Sequence, residues 1–123
     1  MARTLIPYTN LLTDANLVDV TGTTADPVNG HVIRDTAVPS RSWPEQTVLR
    51  VQNTAGTAQS LTVLGGKLMF AADTGIAVSI GAGQTQWIGP FTSAHVKQAD
   101  GSICLDLGAG FTGTITAFRV PRH

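Results

Sequence analysis

The segment from Ala77 to Val120 constrains the fold more than any other part of this chain. It reads AVSI-GAGQ-TQWIGPF-TS-AHVKQ-ADGS-ICLDL-GAGF-TGTITAFRV, a series of short strand-forming runs, each closed by a turn. Val78, Ile80, Trp87, Ile88, Val96, Ile103, Leu105, Leu107, Ile115, Phe118 and Val120 supply apolar mass, while Gly81, Gly83, Gly89-Pro90, Asp100-Gly101, Gly108 and Gly110 supply the breaks. No helix can persist through that punctuation. The pattern predicts a meander of β-strands.

The rest of the chain continues the theme. In TVLRVQN, Leu49 and Val51 alternate with Val48, Arg50 and Gln52; in QSLTVL, Leu61 and Val63 alternate with Ser60, Thr62 and Leu64. With Thr54-Ala55-Gly56-Thr57 between them, these runs predict a hairpin that has one buried face. A second hairpin is expected at Asp100-Gly101, between AHVKQ and ICLDL. Short strands are also expected at Leu17–Val20 and His31–Arg34, and Lys67–Phe70 is an apolar run too short to assign by period. About nine strands at turn spacings of roughly 8 to 12 residues fit an all-β domain. The expected fold is a single antiparallel β-sandwich, a jelly roll being one form of it, with an extended N-terminal arm. A small β-barrel is the second expectation.

The arm is residues 1–16 and the sandwich residues 17–123. Leu5, Ile6, Tyr8, Leu11 and Leu12 are too apolar for a solvated tail, and Pro7 holds Ile6 extended. The segment is therefore expected either to cover an edge of the sandwich or to pack on a neighbouring subunit. Asp35 to Glu45 forms a long loop with Trp43-Pro44 near its end. Trp is frequent at binding hot spots and as frequently folds back as a lid.

Eight Lys and Arg balance eight Asp and Glu, and only 13% of the chain is charged. Without a basic field, no nucleic-acid partner is expected. The Thr-, Ser-, Gln- and Gly-rich surface suits a protein docked against others. MARTLIPYTN lacks the apolar core of a signal peptide and no run reaches the length of a membrane span, so neither export nor a membrane partner is expected. The single cysteine, Cys104, excludes an internal disulfide.

No catalytic constellation stands out. A hairpin at Asp100-Gly101 would bring His95 near Cys104 and Asp106, but any hairpin makes such neighbours. His31, His95 and His123 lack metal-ligand spacing, and the sole glutamate, Glu45, leaves no paired glutamates for glycoside hydrolysis. No enzyme activity, cofactor or metal is expected.

The order VLRVQNTAGTAQSLTV, VSIGAGQTQWIGPF, HVKQADGSICLDL, TGTITAFRVPR resembles the decoration, or cement, proteins that dock on the heads of tailed bacteriophages. The likeness spans roughly residues 45 to 122. It implies a non-catalytic β-sandwich made in the host cytoplasm and carried on the outer capsid surface of the virion, a homotrimer whose partner is the major capsid protein. The contact residues expected for that role are Leu5, Ile6, Tyr8, Leu11 and Leu12 in the arm, with Trp43 and Pro44 in the long loop. Two alternatives stand beside it: another virion part, at the head-tail junction or tail surface, and a carbohydrate-binding sandwich that stacks sugars on Trp43, Trp87 or Tyr8. Core packing is the expected role of Trp87.

Overall fold

Alternation of apolar and polar residues decides where strands form, because period two gives each strand one face to bury. A computed structural model describes residues 3–11, 16, 19–38, 41–65, 75–91, 96–98 and 101–120 and has ten strands among them, the one at Thr47–Asn53 showing the alternation along its whole length. They are β1 (Thr4–Ile6), β2 (Tyr8–Asn10), β3 (Thr23–Thr24), β4 (His31–Ile33), β5 (Thr47–Asn53), β6 (Gln59–Val63), β7 (Ile76–Ile80), β8 (Thr85–Ile88), β9 (Ile103–Leu107) and β10 (Gly113–Arg119). The expected strand residues Leu17 and Val18, the run Lys67–Phe70, and His95, Asp100 and His123 lie outside the described residues.

Two sheets face each other. One has the order β1-β4-β9-β6-β7; the other has β2-β10-β5-β8, with β3 also alongside β10. The protein is an all-β sandwich. Its pairings are antiparallel except β1 with β4 and β2 with β10, which are parallel and both belong to the N-terminal segment. Leu49, Val51, Leu61, Val63, Ile103, Leu105, Ile115, Ala117, Ile33 and Ile6 fill the space between the sheets. Each fully buried aliphatic side chain there contributes about 1.5–3 kcal/mol relative to exposure.

The connections differ from the expected hairpins. β5 and β6 form where the alternation places them but do not pair: β5 lies between β10 and β8, and β6 lies between β9 and β7. The turn between them carries the chain from one sheet to the other. Asn53 makes that crossing, since it is fully buried and its amide donates to the carbonyls of Thr57 (3.1 Å) and Ile80 (3.0 Å). Its Oδ1 accepts from the Ala55 N–H at 2.9 Å. The expected meander is likewise distributed: β7 and β9 belong to one sheet, β8 and β10 to the other. At Gly101 the chain does turn, with its N–H on the Gln98 carbonyl at 2.9 Å, but Val96–Gln98 is not a strand and β9 pairs with β4 and β6 instead.

The N-terminal segment is woven into both sheets. β1 lines the edge of one sheet beside β4, Pro7 takes the chain across, and β2 lines the edge of the other beside β10. A dense polar network fastens it. Arg3 Nη1 donates to Asp106 Oδ1 and to the Leu105 carbonyl, each at 2.7 Å, and the Thr4 hydroxyl donates to Asp26 Oδ2 at 2.6 Å. Fully buried His31 accepts the Asp26 N–H at Nε2 (2.9 Å), which leaves Nδ1–H to donate to the Thr4 carbonyl at 3.2 Å. Gly30, at φ +73°, lets β4 begin against this network, because a Cβ there would lie 2.8 Å from the Leu105 carbonyl oxygen.

Candidate docking surfaces

The segment at one end of the sandwich brings together two of the residues expected to make contacts. Pro44 opens a single 3-10 turn, Pro44–Gln46, which leads directly into β5 and swings Trp43 back toward β2. The rings of Tyr8 and Trp43 meet edge-on, with centroids 5.2 Å apart and planes at 63°. Hydrogen bonds fix the pair: the Trp43 N–H donates to the Tyr8 hydroxyl (3.1 Å), Tyr8 and Thr47 hydroxyls lie 2.8 Å apart, and the Thr47 hydroxyl donates to the Trp43 carbonyl (2.6 Å). Burial pushes the Tyr8 phenol above its ordinary pKa, so it remains a neutral donor and acceptor at physiological pH.

Two guanidinium groups complete the cluster. Arg119 lies with its Cζ 3.6 Å from the Trp43 ring centre and donates from Nε to Gln46 Oε1 at 3.0 Å; Arg41 lies 5.1 Å from the same ring. Arg41 also pairs with Asp35, which holds the Asp35 carboxyl below the usual carboxylate range and closes the loop from Asp35 to Arg41. Neither arginine stands out in the sequence. Arg41 is two residues from Trp43, but Arg119 reaches it only through the long-range pairing of β10 with β5.

The other expected contact residues divide. Ile6 is 1% exposed and Pro44 is buried, so both serve the interior. Leu5, Tyr8, Leu11 and Trp43 are half-buried, and Leu12 lies outside the described residues. Leu5 sits in register with Val32, and through it with Cys104, on the outer side of their sheet.

Trp87 corrects the sequence reading. It is 61% exposed, on the outer face of the second sheet, where it stacks on Phe118 at 5.6 Å and 23°. In β8 the inward positions belong to Gln86 and Ile88, whose register partners Val51 and Leu49 are core residues, while Thr85 and Trp87 face outward. Hydrophobicity alone assigns Trp87 to the core; its register position assigns it to the surface. By stacking on it, Trp87 helps cover Phe118, which is only 5% exposed although it too lies on the outer face.

A cleft of about 180 Å³ opens at the Pro7 corner, lined by Ile6, Pro7, Thr9, Val20, Gly22, Thr23, Ile115 and Thr116. The Thr116 Oγ1 is buried and finds no hydrogen-bond partner among the described residues. Of the grouping considered for nucleophilic chemistry, Asp106 pairs with Arg3 and His95 lies outside the described residues. Among the described residues, no group of three or more His, Cys, Asp and Glu could hold a metal ion, and no helix is long and apolar enough to cross a membrane. No protein-family model, curated protein or solved structure matches the chain.

Proposed function

We propose that this chain is a non-enzymatic structural protein of a bacteriophage particle, one that docks on the outer capsid surface and bridges neighbouring capsid subunits. The observation that carries this reading is the Tyr8–Trp43–Arg41–Arg119 cluster. It gathers the three residue types most enriched at interface hot spots onto one end of the sandwich, and hydrogen bonds hold it in place before any partner arrives. The sparse charge and the resemblance to decoration proteins agree with it. Several copies gripping one lattice junction would act together through effective concentration, and binding only the assembled shell would stabilise it by linkage.

The test is to mix the purified protein with undecorated shells. Saturable binding at a fixed copy ratio is expected, and Trp43→Ala should weaken it about tenfold or more, the loss of roughly 1.4 kcal/mol. Absence of binding at every ionic strength would sink the proposal. Attachment at the head-tail junction or the tail surface would be seen in a reconstruction of the particle.

The exposure of Trp87 favours a second reading, in which its outward face is a stacking platform for a sugar ring. Hits on a glycan array that disappear in Trp87→Ala would move the function to that class.

A further inference from the structure

We infer that β8 is a self-association edge, where a second copy of this chain adds its own β8 antiparallel and extends the sheet across a two-fold axis. The inference rests on backbone geometry and charge, and does not depend on the capsid reading.

Among the described residues β8 is the last strand of its sheet, next to β5 on one side only. The Asn53 N–H donates to the Gln84 carbonyl, which places Gln84, Gln86 and Ile88 at the hydrogen-bonded positions facing β5. By the same alternation, the N–H and C=O groups of Thr85 and Trp87 point away from β5. These two outward residues lie symmetrically about Gln86. An inverted copy with Gln86 opposite Gln86 therefore sets Trp87 against Thr85 twice and closes four backbone hydrogen bonds. The strand is complementary to itself.

A two-fold axis places each nearby residue beside its own copy, so any charge there repels itself. No Asp, Glu, Lys or Arg occurs between Asp73 and Lys97, which includes all of β7, the Gly81–Gln84 turn and β8. Edge strands of monomers are usually guarded by lysine, proline or a bulge. Within Thr85–Ile88 there is none of these charges and no proline. The exposed Trp87 then meets the Thr85 side chain of the second copy on the outer face, which covers one flank of the large apolar group that the single chain leaves 61% exposed. A foreign strand would also fit the hydrogen bonds, but only a second copy makes use of both the symmetry about Gln86 and the missing charge.

The contact predicts an even number of chains in place of the trimer that the resemblance implies. Sedimentation of the purified chain should give a dimer, and Thr85→Lys, which adds a charge at a solvent-exposed outward position, should give a monomer with an unchanged circular dichroism spectrum. Val28→Lys, an exposed change elsewhere, should leave the dimer intact. Hydrogen exchange supplies a readout that needs no variant: the Thr85 and Trp87 amides should exchange at least about tenfold more slowly above the dimerisation midpoint than below it. A monomeric wild type, or a dimer or trimer that Thr85→Lys leaves intact, would overturn the inference, as would exchange at Thr85 and Trp87 that is independent of concentration.

Discussion

The two lateral edges of this sandwich are built on opposite principles. At one, the N-terminal segment runs along the outermost strands of both sheets and is fastened by Arg3, Thr4, Asp26, His31 and Asp106. At the other, β7 and β8 end their sheets in a stretch with no acidic or basic side chain. A β-sandwich has edges that must be managed, because unpaired backbone groups invite another strand. Here one edge is closed by the chain's own beginning and the other is left complementary to a copy of itself. The contrast teaches that low total charge need not be spread evenly. It is concentrated where polar networks lock the fold and withdrawn where the surface is to be covered.

The sharpest way to break this comparison is to cut both edges and compare the damage. Ile6→Ala should cost about 3 kcal/mol, since Ile6 is fully enclosed and truncation leaves a cavity between the sheets. In the single chain, below the dimerisation midpoint, Trp87→Ala removes more atoms but loses mainly one ring stack, about 1 kcal/mol, so urea unfolding midpoints should separate the two variants clearly. Equal losses would mean that the two edges are not different in kind.

Acid should open the fastened edge first. Burial lowers the His31 pKa below its ordinary 6.5, so the unfolded chain takes up the proton before the folded one. Stability is therefore retained above pH 6.5 and falls as the pH drops from there toward the lower folded value. Asp26 adds a second loss. The Thr4 hydroxyl, with Asn29, holds its carboxyl down to about 2, so its contribution is present above 3.8 and disappears between 3.8 and 2. Denaturant melts from pH 8 to about 2 check both windows, and His31→Gln should flatten the upper one. A smaller effect is expected from Arg3→Ala, about 1 kcal/mol, because the ion pair with Asp106 is partly solvated while the bond to the Leu105 carbonyl is more enclosed. The smallest belongs to the other edge: Thr85→Lys should shift the stability of the single chain by no more than about 0.5 kcal/mol, read by thermal melting below the dimerisation midpoint.

The class of fold was legible because period-two alternation is a local property. Thr47–Asn53 and Gln59–Val63 declare themselves as strands without reference to anything distant. Pairing was not legible. The same Thr54–Thr57 turn that reads as a hairpin loop serves here to change sheets, and what decides between the two is the burial of Asn53 against the carbonyls of Thr57 and Ile80. The latter lies 27 residues away. The contact residues show the same division. Tyr8 and Trp43 were each conspicuous by type, but their union, and the arrival of Arg119 over the indole, depend on β2 and β5 both flanking β10. Trp87 was misplaced because hydrophobicity ranks side chains while register alone assigns a face.

The position of β10 has a consequence for how the molecule is made. Its residues Ala117–Arg119 lie beside Tyr8–Asn10 on one side and Thr47–Leu49 on the other, so a strand late in the sequence is the inner member that holds two earlier ones together. A growing chain carries β2 and β5 with the place between them vacant until β10 has been made. Loop closure over such separations is slow, and the exposed edges of the waiting strands are open to wrong partners. Completion of the second sheet thus waits for residues 113–119, and a chain released before Gly113 would have the described strands of that sheet except the one that joins them.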